Sequence, residues 1–197
     1  MTLDQTDTAP AMDVLDAIRR RRSAVRYGEG PIARAVVEQI IEAARWAPNH
    51  HLTEPWRFVV LTGDARAAIG EAIAAELLQN TANTKAEAEA AGVRTKVMRS
   101  PVIIAVGQVR TSPDPEKDLE DYAACACATQ NLLLAAHAAG LAAKWSTGKM
   151  TVSPAAKQFL GLDPDDRIVG YVYLGSTVED APDSRRRPAT EVTRWLE

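Results

Sequence analysis

The run RRRRSAVRY, residues 19–27, sets four consecutive arginines, a serine and a further arginine near the start of a chain whose formal net charge is −3. Arg21 and Arg22 can each present a planar fork of donors to the oxygens of an anion, a bidentate geometry that lysine does not copy, and Ser23 adds a compact hydroxyl. A chain with an acidic overall balance is excluded from broad nucleic-acid binding, which needs a basic face across many phosphates. The cluster therefore points to a small anionic ligand. The competing reading is structural, because arginines in the last turn of a helix complement its macrodipole and need bind nothing.

Three further stretches carry side chains or backbone able to meet a ligand. WAPNHHLTEPWRF, residues 46–58, offers Trp46 and His50, and an imidazole can donate from either ring nitrogen. GLAAKWSTG, residues 140–148, places Trp145, Ser146, Thr147 and Gly148 on a turn after a short strand, with the glycine allowing close backbone approach. SRRRP, residues 184–188, is a second arginine run containing Arg185 and Arg186. No Ser/His/Asp or Cys/His arrangement stands out, so no catalytic side chain is assigned. The cysteines, Cys125 and Cys127, lie two apart in a helical pattern, point to opposing faces and do not pair, which fits a reducing compartment. No histidine has zinc-ligand spacing, so no metal is expected.

The elements that must position these groups follow from periodicity. Met12, Leu15 and Ile18 form a helical stripe that runs into the arginines. A second helix over residues 33–47 puts Val36, Val37, Ile40, Ile41 and Ala44 on one face, and Pro48 ends it. WRFVVL (56–61), VIIAV (102–106) and VGYVYL (169–174) read as strands. Residues from 64 onward are alanine-rich and helical, and residues 80–99 continue as a polar helical stretch with little apolar stripe, expected to be a mobile lid or insertion. Residues 118–139 are the strongest helix, apolar on nearly all sides and so expected to be buried on nearly all sides. Helices and strands mix without regular βαβ spacing, which predicts α+β. Residues 1–11 read as a flexible tail, and residues 12–197 as a single domain with an extended arm from about 178 to 197. Hydrophobic residues at 46% and charged residues at 25% suit a soluble globular fold. Without a signal-like start or an apolar run of ~18 residues, a cytoplasmic protein with no membrane partner is expected.

In their order and separations the four stretches resemble the FMN-dependent nitroreductase family, in particular its small single-domain NAD(P)H nitroreductase branch, over about residues 12–190. The resemblance implies a nitroreductase-like fold, a central mostly antiparallel sheet flanked by helices in an intertwined homodimer with two sites at the subunit interface. It implies FMN as cofactor, NADH or NADPH as co-substrate, and ping-pong reduction of a small-molecule acceptor such as a nitroaromatic or quinone. By the same resemblance Arg21, Arg22 and Ser23 take the phosphate and ribityl end, and the segment with Trp46 and His50 approaches the flavin of the partner subunit. The turn at Trp145, Ser146, Thr147 and Gly148 aims backbone amides at flavin N5 and O4, and Arg186, with Arg185, completes the phosphate site. Three positions depart from the family pattern. Glu54 stands where glutamine is usual, Ser184 replaces a lysine, and Val25 replaces a lysine near the pyrimidine edge of the flavin, leaving Lys144 or Arg26 as substitutes. The alternative readings are an FMN-binding storage, sensing or delivery protein with little turnover, and a structural dimer.

Overall fold

The computed structural model describes residues 12–80, 84–178 and 185–197. The expected N-terminal tail, Ser184 and the first part of the expected arm lie outside the described residues.

Strand β2 (Val102–Gln108) explains the architecture, because both of its faces are covered. Val102, Ile104 and Val106 join one apolar cluster, while Ile103 and Ala105 join another on the opposite side. A strand buried on both faces reads as a continuous apolar run, as VIIAV does. With β1 (Trp56–Thr62), β3 (Leu141–Ser146) and β4 (Arg167–Ser176) it builds a four-stranded sheet of order β1-β2-β4-β3, every neighbouring pair antiparallel. Helices α1 (Val14–Arg20), α2 (Arg34–Ala44) and α5 (Pro115–Ala138) lie on one face. Helices α3 (Asp64–Asn80), α4 (Thr84–Val97) and α6 (Pro154–Phe159) lie on the other, giving the expected α+β arrangement. Among the described residues no helix is long and apolar enough to cross a membrane.

Local signals set where α1 and α5 begin. The Asp13 carboxylate accepts from the backbone N–H groups of Leu15 and Asp16, a cap worth ~1 kcal/mol. Arg21 leaves helical backbone angles at ψ 131°, so the arginine run straddles the helix end. The chain then runs along the outer edge of β3, where Ala24 N–H donates to Ala143 C=O at 3.0 Å. Asp114 caps α5 and Pro115 fills its first turn, a position where a missing N–H costs nothing.

Within one chain, helix α5 is covered on one side: Cys125, Ala128, Leu132 and Ala136 are buried, whereas Ala123, Cys127 and Gln130 are exposed and Leu119 is 65% exposed, so burial on nearly all sides needs a second subunit. Alanine and cysteine line its core side and its open side alike, so the pattern could not tell them apart. Burial, reinforced by the Asp121 carboxylate, pushes the Cys125 thiol up to about 12, which makes it an inert packing group. The 80–99 stretch is not a helix without a packing face. Ala86, Ala90 and Val97 of α4 are buried, and Val97 comes so near α3 that a Cβ on Gly70 would lie 2.7 Å from its Cγ2. The stripe is made of small residues, so it reads as polar while allowing close helix contact.

Candidate functional site

The ends of α1 and α5 meet in a cluster of cations. Arg21 is partly buried and its Nη1 has no hydrogen-bond partner. Burial first, then Arg22 and Arg186, lower its pKa, which puts the arm's Arg186 within electrostatic reach of it. His137, in the last turn of α5, has an unpartnered buried Nε2, and its pKa is lowered by burial and then by Arg21, Arg20 and Arg22. Among the described residues, the charges acting on either group are all arginines. Leaving a buried donor unpaired costs ~1–3 kcal/mol, more beside like charges, so the arrangement favours an anion arriving there. The arginines of the run divide between two environments. Arg22 turns its Nη1 back to Arg19 C=O at 2.5 Å and Arg21 C=O at 3.0 Å, closing the end of α1, while Arg21 keeps a donor free. Ser23 is exposed beside Ala143 of β3, and Arg185 is exposed with its carbonyl accepting from Arg186 Nη1 at 3.1 Å.

Strand β3 leads from this cluster to the second predicted stretch. Trp145 and Ser146 belong to the strand itself rather than to a turn, and only Thr147 and Gly148 follow it. Trp145 Nε1–H points to Val169 C=O at 3.4 Å, and its ring covers Gly170, where a Cβ would lie 2.1 Å from Nε1. Gly148 has φ +106° and ψ −156°, a conformation essentially confined to glycine, with open space where a Cβ would stand. The 3-10 turn Lys149–Val152 follows, tied to α4 by a Lys149–Glu89 ion pair of 2.6 Å. From α4, half-buried Lys96 has a pKa lowered by burial and then by Lys144 and Arg99, so Lys96 and Lys144 lie near one another beside β3. Val25 is 66% exposed.

The third stretch, the loop between α2 and β1, sits against the other end of α5. Trp46 is 75% exposed, donates from Nε1 to Glu42 Oε1 at 3.1 Å, and carries the Arg45 guanidinium 5.4 Å from its ring centroid. His50 Nδ1 lies 3.0 Å from Glu120 Oε1. A carboxylate only accepts, so this contact has His50 Nδ1–H as the donor and leaves Nε2 turned away from Glu120. The loop is anchored below by the buried Asp121, whose two oxygens accept from the hydroxyls of Thr53 and Thr111. Asn49 Oδ1 accepts from Glu54 N–H at 2.7 Å, and both Leu52 (φ +53°) and Glu54 (φ +44°) are left-handed. Glu54 is exposed and helps turn the chain into β1.

One chain thus brings Arg21, Arg22, Ser23 and Arg186 together at one end of β3 and carries Thr147 and Gly148 at the other. It does not bring Trp46 and His50 to them. Glu120 and His137 are separated by about 25 Å of helix, and the loop enters β1, the edge strand opposite β3. The sequence reading missed His137 and Lys96. His137 looked like one more residue of a long helix, and Lys96 like one more charge in a polar stretch. A lone histidine one turn before a glycine, or a lysine six residues before a core strand, gives no signal until the fold shows what surrounds it.

Comparison with known proteins gives the chain its relatives. The model of a family described as the nitroreductase family matches residues 18–176. A candidate NAD(P)H nitroreductase of Bacillus subtilis (strain 168) is 28% identical over 94% of this chain and 95% of its own. One of Escherichia coli (strain K12) is 30% identical over 84% of this chain and 88% of its own. Among solved structures, a nitroreductase-like protein from Bacillus cereus superposes with a TM-score of 0.85 at 25% identity, covering 96% of this chain and 99% of its own. A nitroreductase from Desulfovibrio desulfuricans, solved in complex with FMN, gives a TM-score of 0.69 at 32% identity, covering 94% of this chain and 96% of its own.

Proposed function

The chain belongs to the nitroreductase family and is an oxidoreductase of that family; on that footing we propose that it binds FMN and uses NADH or NADPH to reduce nitroaromatic, quinone or related acceptors. Bound FMN would supply the hydride and electron-transfer chemistry between nicotinamide and acceptor. The chain's own residues hold and surround the flavin ring. Arg21 donates its free Nη1–H to the phosphate, Arg186 completes the charge, and Ser23 hydrogen-bonds the phosphate or ribityl end. Arg22 and Arg185 add positive potential. The backbone at Thr147 and Gly148 approaches the ring edge, because the turn leaves that side open. Lys96, with Lys144, supplies the positive charge at the pyrimidine edge that Val25 does not.

The observation that carries the reading is the Arg21 Nη1, which has no hydrogen-bond partner among the described residues and is pressed by the charges of Arg22 and Arg186. A phosphate dianion has the charge and the acceptors to satisfy it. The separation of the His50 loop from that cluster supports a site completed by a second copy, whose Trp46 and His50 lie over the ring. The open side of α5 and the exposed apolar residues Val14, Leu15, Ile18 and Trp195 support a homodimer in which such surface is covered. Domain limits of 12–197 fit the same picture, the arm reaching across to the partner.

Anaerobic mixing with NADH or NADPH tests the reading: the yellow flavin should bleach and then recover colour when a quinone is added. Parallel double-reciprocal lines are expected if nicotinamide and acceptor share one face in turn. A flavin left oxidised by both nicotinamides would contradict the enzymatic reading, and intersecting lines would contradict the shared face.

A further inference from the structure

Three side chains remote from the cation cluster converge on one point of the surface. His50 Nδ1 lies 3.0 Å from Glu120 Oε1, and His51 Nε2 lies 3.3 Å from Glu120 Oε2. One ligand atom from each of the three residues falls within a 4.8 Å span. The two imidazoles stack face to face, with centroids 4.1 Å apart and planes inclined by 24°.

We propose that His50, His51 and Glu120 form a binding site for a divalent transition metal of zinc-like character, with three protein ligands and an open fourth position. The donor set is two imidazole nitrogens and one carboxylate oxygen, which suits zinc, nickel or copper better than the all-oxygen preference of calcium or magnesium. Ligand atoms around a tetrahedral zinc stand about 3.3 Å apart, from bond lengths of about 2.0–2.2 Å. Each imidazole already stands at that distance from one oxygen of Glu120, 3.0 Å from Oε1 for His50 and 3.3 Å from Oε2 for His51, and gathering one atom from each residue closes gaps of no more than 4.8 Å between exposed side chains.

A plain pair of histidine–carboxylate hydrogen bonds does not explain the support behind them. Solvent would serve two exposed imidazoles as well as Glu120 does. Here both rings come from a loop with two non-glycine residues, Leu52 and Glu54, in left-handed conformations, each costing on the order of 1 kcal/mol or more. The loop is fixed from below by Asn49, Thr53 and the buried Asp121, and Glu120 stands next to Asp121 on the first turns of α5. Ligands held by a supporting layer of hydrogen bonds on a rigid helix are the arrangement a metal site needs. Spacing along the chain hid the site because the third ligand comes 70 residues after the first. The proposal needs no flavin: the metal would bind His50 through Nδ1, leaving Nε2 for any contact over a partner's ring.

The test uses tag-free, metal-stripped protein carrying whatever flavin it is purified with, titrated with Zn(II) by calorimetry and with Co(II) by visible absorption. One ion per chain is expected, saturating in the micromolar range, with an intense Co(II) band from a low-coordinate site. His51→Ala and Glu120→Gln should each weaken binding tenfold or more. Both side chains are at the surface, and circular dichroism should show each variant folded. Absence of saturable binding below ~1 mM, or variants that bind as tightly as the parent, would overturn the proposal.

Discussion

The two ends of α5 are built on opposite principles. Near its N-terminal end the acidic groups turned toward the fold have partners: Asp121 takes two hydroxyls, Glu120 faces two imidazoles, and Asp118 pairs with Arg167 at 3.0 Å while its oxygens also meet Gln108. At its C-terminal end Arg21 and His137 each bury a nitrogen without a partner among the described residues, with arginines as the charges acting on both. Burying a charge without a partner is expensive, and a chain that pairs charges with such economy at one end has the means to do so at the other. The difference teaches that the N-terminal end holds a loop in place through its paired acids, while the C-terminal end leaves donors over, which is what the proposed phosphate would take up.

Breaking the unpaired end should have the largest effect. Arg21→Ala with Arg22→Ala removes charge-assisted bonds worth roughly 1.5–3 kcal/mol each, so FMN affinity should fall a hundredfold or more in fluorescence titrations of apo-protein. Riboflavin, which lacks the phosphate, should bind the double variant and the parent alike. Deleting residues 181–197, which removes Arg186, should weaken both flavin binding and dimer formation in sedimentation.

Breaking the paired end should act on stability instead. Asp121→Ala leaves the Thr53 and Thr111 hydroxyls without their acceptor and should destabilise the fold by roughly 2–4 kcal/mol in urea unfolding. Loss of FMN affinity in that variant as large as in the arginine variant would blur the distinction between the two ends.

A pH series sharpens the comparison further. The His137 pKa is lowered in the folded chain, so the unfolded chain binds more protons and stability falls as pH drops through the unfolded value of about 6.5. Bound phosphate should oppose that fall by favouring the imidazolium. Thermal melts of apo-protein should therefore lose more between pH 7.5 and 5.5 than melts with FMN, and His137→Gln should reduce the difference. The smallest effect belongs to Glu120→Gln in metal-free buffer, whose exposed partners predict a change within ~1 kcal/mol.

Much of the fold was legible because its signals are local. The β2 run between Pro101 and Gly107, the stripe of Val37, Ile40 and Ala44 on α2, and the proline-capped start of α5 each identify an element without reference to the others. What failed was the distinction between faces made of alanine. Ala123 and Ala128 look the same in sequence, yet one is exposed and the other buried, and the small-residue face of α4 passed for no face at all. Arg21, Ser23 and Gly148 were legible as candidates because guanidinium, hydroxyl and a glycine turn name their chemistry. His137, Lys96 and Glu120 were not, since each takes its meaning from neighbours many residues away. The turn chemistry misled at Trp145, whose polar neighbours suggested a loop where cross-strand pairing with Val172 makes a strand.

The most direct test of the central claim is the affinity of wild-type apo-protein for FMN against riboflavin in the same buffer. If the unpartnered cations at the end of α5 hold a phosphate, FMN should bind with one equivalent per chain and at least a hundredfold more tightly than riboflavin, and the gap should shrink in Arg21→Ala. Equal affinities for the two flavins, or a gap that Arg21→Ala leaves untouched, would contradict it.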